Sequence, residues 1–216
     1  NSLPIVSSMD FSAGGDVKVI LNESSFPWIV SNYGATNLTG SSVTIQAVGD
    51  QRFYPDSYIS SIQTLGTTQI SISSGHVQAI DFISAGESLS INSDGGTVWI
   101  SAGNIGSTLS IAGESADIYL GSVINGIDPL IVDGATSITL ADEGRAQLFN
   151  FVANSDVHFE QQGKNSYVAI YNDMWTAESV LFSAKGNVSF SISSAENAVS
   201  VLSAVDTKGN FSFIAE

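Results

Sequence analysis

The 216 residues are enough for one substantial domain, or two small ones, with a real apolar core. Only 6 Lys and Arg stand against 21 Asp and Glu, and the resulting charge of −15 repels polyphosphate and excludes a nucleic-acid-binding role. Cysteine is absent, which removes disulfides, thiolate metal sites and cysteine nucleophiles together, and no apolar run approaches the roughly 18 residues of a membrane span.

Along the chain, apolar residues come in short alternating pieces, the period of a half-buried strand, and no stretch carries the 3.6-residue period of a helix. The chain opens at Asn1 with no charged or apolar leader, so a leader has been removed or the sequence is a segment of something longer. Phe11-Ser12-Ala13-Gly14-Gly15-Asp16-Val17 is the first copy of a recurring junction: apolar, Ser, Ala, Gly, a polar residue, then a new strand. Ile83 to Leu89, Ile100 to Asn104 and Phe182 to Val188 repeat it, and Val205 to Phe211 is a looser copy. The glycine is expected to supply a positive φ at a corner.

Residues 21 to 66 break this rhythm. Phe26-Pro27-Trp28, Asn32-Tyr33 and the run from Gly49 to Tyr58 bring Pro and clustered aromatics, which disfavour a central strand. This stretch reads as a cap or insertion beside the first coils, so residues 1–66 are set apart from a regular region at 67–216 within one continuous domain. Arg52, Tyr54, Asp56 and Tyr58 are the candidate contact residues there, because Tyr beside Arg and Asp offers a flat apolar face with hydrogen-bonding ends for a glycan or a neighbouring subunit.

From residue 67 the alternation is steady. One set of strands is expected at 69–73, 88–91, 108–111, 137–140, 167–170, 188–192 and 211–214. A second set falls at 77–83, 97–101, 117–120, 157–159, 179–182 and 198–202. Strand starts recur roughly every 9 to 12 residues, so two strands make a repeat of about 20. Such a unit is too small to fold alone. Stacked units bury a continuous ladder of Ile, Leu, Val and Phe while their backbones pair from coil to coil. The expected fold is therefore all-β: a right-handed parallel β-solenoid of about 20-residue coils, nine or ten of them. A β-sandwich is the alternative, since it also shows short strands at this spacing.

The chain ends on Phe211-Ser212-Phe213-Ile214. An open terminal coil exposes unpaired strand edges, so Phe211, Phe213 and Ile214 are the candidate assembly edge.

Chemistry is sparse by comparison. His76 and His158 are the only histidines, and no nucleophile elbow, P-loop, zinc or dinucleotide fingerprint occurs. Asp128, Asp133, Asp142, Glu143 and Arg145 are the nearest approach to a polysaccharide-cleaving cluster, but acids at corners read first as solvated turn residues. No enzymatic activity and no cofactor is expected. Ca²⁺ is the one ion worth considering, since Asp94, Asp117, Asp128, Asp133, Asp142, Asp156 and Asp173 recur at turns, and no specific ligand set can be named. Sequons occur at Asn22, Asn37, Asn187 and Asn210. The Ser/Thr-rich strands also raise ice binding, against which stands the lack of a clean Thr rank.

Over about residues 67 to 216 the strand rhythm, Gly corners, acidity and lack of cysteine resemble the β-solenoid portions of bacterial surface adhesins and autotransporter-like passengers. That resemblance implies secretion to the cell surface, adhesion, or assembly into a fibre or surface layer. The expected partners are copies of the chain or a larger parent, with a glycan possible. A carbohydrate-binding or polysaccharide-degrading β-helix and a phage or virus fibre module are the alternatives.

Overall fold

The computed structural model describes residues 8–21, 35–48, 57–73, 75, 77–122, 128–162, 164–170, 182–192, 199–202 and 206–215, and these contain strands and no helix. The first coil carries β1 (Ser8–Ser12) and β2 (Val17–Leu21), the second β3 (Ala35–Gly40) and β4 (Val43–Val48). β5 (Ser57–Thr64) and β6 (Thr68–Ser73) follow, then β7 (Val77–Ala85) with β8 (Leu89–Asp94), and β9 (Thr97–Ile105) with β10 (Leu109–Glu114). Later coils carry three strands each. These are β11 (Asp117–Leu120), β12 (Leu130–Val132) and β13 (Thr136–Leu140), then β14 (Arg145–Leu148), β15 (Phe151–Ala153) and β16 (Val157–Gln161). The last six are β17 (Tyr167–Ile170), β18 (Phe182–Ala184), β19 (Val188–Ile192), β20 (Val199–Leu202), β21 (Asp206–Thr207) and β22 (Phe211–Ala215).

Every strand pairing is parallel, and each coil pairs with the next. A 9-stranded sheet takes one strand from each coil, so nine coils can be followed through the described residues. The chain is a β-solenoid, and the sandwich alternative is excluded because consecutive strands stack along an axis instead of forming antiparallel pairs across a core.

From the third coil on, each coil has three sides, where the sequence rhythm suggested two. β9 shows the reason. Thr97 to Ile100 pairs with β11, whereas Gly103 to Ile105 pairs with β12. The long strands β5, β7 and β9 thus bend across a corner that later coils divide into two strands. A first face holds the leading halves of β5, β7 and β9 and then β11, β14, β17 and β20. A second holds β1, β3, the trailing halves and β12, β15, β18 and β21, and the third face is the 9-stranded sheet. At the bend the alternation slips: Ala102 and Gly103 are both buried, with Ser101 and Asn104 facing out. A period-two pattern cannot announce such a slip in advance.

The core is a set of columns running along the axis. On the third face Ile45, Ile70, Ile91, Ile111, Ile138, Phe159 and Phe190 lie one above another, all buried. Burying such a side chain contributes about 1.5–3 kcal/mol, and here each gains that burial only from the coils above and below. The rings of Phe159 and Phe190 stack at 4.5 Å with 10° between planes.

Residues 35–48 and 57–64, inside the stretch read as cap or insertion, carry β3, β4 and β5 in the same ladders as the rest. Val43, Ile45, Ile59 and Ile62 supply ordinary inward positions there. The Phe26-Pro27-Trp28 and Asn32-Tyr33 clusters, and Gly49 to Asp56, lie outside the described residues.

The corner glycines also work differently from the expectation. Positive φ occurs at Gly75, Gly95, Gly103 and Gly121, and of the recurring junctions only the Gly103 copy has it. Gly86 and Gly106 are glycine because the coils nearly touch. A Cβ on Gly86 would lie 2.2 Å from the Leu65 carbonyl oxygen, and one on Gly106 would lie 2.3 Å from that of Gly86. The spacing between coils is held by backbone bonds that continue through the corner, Gly86 N to Thr64 O at 2.9 Å and Gly106 N to Ala85 O at 2.8 Å.

Side chains extend the same ladder near the C-terminal end of the stack. Asp156 Oδ1 accepts from the Asn187 backbone N–H at 2.7 Å and from Asn187 Nδ2 at 3.3 Å. Asn187 Oδ1 in turn accepts from the Asn210 N–H at 2.9 Å. The sequon residues Asn187 and Asn210 are thus rungs of one corner.

Candidate functional site

Of the acids named from the sequence, Asp133, Asp142 and Asp156 serve coil corners, and Asp173 lies outside the described residues. Asp133 Oδ1 accepts from Asn154 Nδ2 at 2.6 Å, and Asp142 Oδ1 accepts from the Lys164 N–H at 2.8 Å. Arg145 Nε lies 4.0 Å from Asp117 Oδ1 on the first face. His158 Nδ1 shares a 2.8 Å hydrogen bond with Ser189 Oγ, while His76 lies outside the described residues. Among the described residues no three His, Asp or Glu side chains come together as a metal site. No helix of theirs is long and apolar enough to cross a membrane. A shallow groove of about 390 Å³ opens where the second and third faces meet, and its lining, including Gly40, Ser41, Gln63 and Leu65, holds no titratable side chain.

Among the described residues Asp81 carries the one resolved shift: although its side chain is exposed on β7, partial desolvation raises its pKa above the ordinary carboxylate value. A raised folded-state pKa means that the folded chain holds this proton more tightly than the unfolded chain does. The stability it contributes is complete below the unfolded value of about 3.9 and is lost as pH rises through the folded one. Asp81→Asn, which stays neutral, is therefore expected to melt slightly above the wild type at pH 7, the difference being small because the side chain is exposed. The gap should close as pH falls below about 3.9. Thermal melts of both proteins between pH 3 and 7 check this, and equal melting temperatures at pH 7 would contradict it.

Of the glycan- or subunit-contact candidates, Arg52, Tyr54 and Asp56 lie outside the described residues. Tyr58 belongs to β5 and pairs with Ala79, which pairs with Trp99, which pairs with Tyr119. Tyr58 therefore stands at the same register position of the first face as Ala79, Trp99 and Tyr119. Trp99 is 44% exposed, and its ring stacks on Tyr119 with centroids 5.0 Å apart and 27° between planes. Gln147 continues this column, and Thr97, Asp117 and Arg145 form the next one. The sequence reading passed over this pair. The signal was present, since Trp99 and Tyr119 stand one 20-residue repeat apart at outward positions.

The candidate assembly edge is placed at one end of the stack. Among the described residues β22 pairs with β19 alone. Phe211 and Phe213 occupy the columns of buried Val188 and Phe190, yet they are 46% and 49% exposed. At the opposite end Val17 and Val19 begin the same two columns and pack against the core only in part.

The outward column beside them is more telling. From Ile20 it runs through Gln46, Ser71, Asn92, Ala112, Thr139, Glu160 and Ser191 to Ile214. Its interior residues are polar or small, and its two ends are Ile, 49% exposed at residue 20 and 54% at residue 214.

No protein-family model, no curated protein and no solved structure matches the chain. The likeness to known proteins is that of architecture alone, a parallel β-solenoid.

Proposed function

We propose that the chain is an extracellular structural protein of the cell surface, adhesive or fibre-forming, whose coil stack is extended end on end by further copies of itself. The observation that supports this reading is the match between the apolar residues of β2 and β22, the outermost strands of the 9-stranded sheet among the described residues. Continuing the ladder with β2 of a second copy after β22 of the first sets Phe211 over Val17 and Phe213 over Val19. The same step brings Ile214 beside Ile20, the two apolar ends of an otherwise polar or small column. Such a contact is heterologous. One end meets the other, and repetition gives an open filament. It also pairs the outer backbone edge of β22 with that of β2.

Sedimentation velocity and negative-stain microscopy over rising concentration test the proposal. Rods in multiples of a unit about 40 Å long are expected, from nine coils at the usual strand spacing. A protein with Ile20→Asp has a blocked leading end, and one with Phe213→Asp and Ile214→Asp a blocked trailing end. Each alone should associate at least about tenfold more weakly, the usual cost of losing a central apolar anchor. Mixed, they should give two-unit particles and nothing longer, since one free end of each kind remains. Wild-type protein that stays a single unit throughout would refute end-on assembly.

A further inference from the structure

On the first face, away from both ends of the stack, an exposed indole stacks on a partly buried phenol. We propose that this strip binds a neutral, extended polysaccharide lying along the solenoid axis. Three observations carry it. Trp99 and Tyr119 stack across adjacent coils and form an apolar patch in which the rings partly cover each other, Trp99 keeping 44% of its surface exposed for the C–H groups of a sugar ring to pack against.

The rungs of the column are set by the strand spacing of about 4.8 Å, close to the advance of one hexose along an extended chain, so successive rings meet successive coils. Ala79 precedes Trp99 in the column and Tyr58 precedes Ala79, which places two aromatic positions two coils apart with a small residue between them.

The neighbouring column supplies the hydrogen bonding. Asp117 and Arg145 are 40% and 59% exposed, and their weak contact at 4.0 Å leaves both able to turn toward ring hydroxyls, with Gln147 alongside as donor and acceptor. Charge selects the kind of glycan. The carboxylate of Asp117 offsets the only cation on the strip, and a chain of net charge −15 repels a polymer bearing carboxylates or sulfates. The favoured ligand is therefore uncharged. This site uses the side of the stack and is independent of end-on assembly.

Affinity electrophoresis of the intact chain in native gels containing hydroxyethylcellulose, glucomannan, xylan or galactan tests the proposal, with pectate and alginate as acidic counterparts. At least one neutral polymer should retard the wild type. Trp99→Ala should weaken that retardation by about tenfold or more, as truncation of a Trp anchor does, and Arg145→Ala by less. Since Trp99 faces outward, the variant's circular dichroism and sedimentation should match the wild type. Retardation by none of the neutral polymers, equal retardation of Trp99→Ala, or stronger retardation by the acidic polymers would overturn the assignment.

Discussion

Replacing Phe190 by Ala is expected to destabilise the chain by about 3–5 kcal/mol, the range for truncating a buried aromatic. Phe190 is 1% exposed and stacks on Phe159 at 4.5 Å on one side. On the other side it meets Phe211 at 5.8 Å and Phe213 at 6.1 Å. The substitution therefore empties the joint between the last two coils and the rest. In a stack each coil is stabilised by its neighbours, so the loss should be directional. Hydrogen exchange should rise first in β19 and β22, with β8 and β10 retaining most of their protection. Phe190→Leu keeps much of the apolar volume and should cost less. A uniform loss of protection along all nine coils would instead indicate a single cooperative unit.

The second large effect is expected from a group too small to be noticed as a contact. Gly106→Val places a branched side chain where even a Cβ would lie 2.3 Å from the Gly86 carbonyl oxygen and 3.0 Å from its carbon. Neither neighbour can yield freely, because the backbone bonds at 2.8 and 2.9 Å fix the coil spacing on both sides. Overpacking against side chains costs about 1–3 kcal/mol, and against backbone the upper end of that range or beyond is expected. Gly14→Ala is the internal control, since its Cβ would meet nothing within 4 Å. It should stay within about 0.5 kcal/mol of wild type. Urea unfolding of the two variants checks both predictions, and equal midpoints would show that the corner tolerates a wider spacing.

These two cases mark where sequence reasoning succeeds and where it stops. The alternation of Gln69 to Ser73 or of Val188 to Ile192 identifies strands because the side-chain period of a strand is local, and these segments are β6 and β19. Weak alternation hid others. Arg145 to Leu148 and Leu130 to Val132 are too short to show a period, and their strand state depends on parallel neighbours already in place. The role of Gly106 could not be read locally either, since its constraint is a carbonyl one coil away.

The candidate sites follow the same division. The alternation of Phe211, Phe213 and Ile214 was legible as a strand, and the structure places it as β22 beside β19. The Ile20 to Ile214 relation was not legible, since it spans all nine coils, and the Trp99–Tyr119 stack was signalled only by two aromatics one 20-residue repeat apart.

The sequence by itself determined that the chain is all β, which side of each clear strand faces inward, that coils stack, and that the surface is acidic. The tertiary structure alone decided which residue stands over which. The number of residues between equivalent positions varies along the chain: Leu89 is followed by Leu109, twenty residues on, whereas Val157 is followed by Val188, thirty-one residues on. Corners absorb these differences without disturbing the ladder, since hydrogen bonding between parallel strands constrains the register of the strands and leaves the length of the connection free.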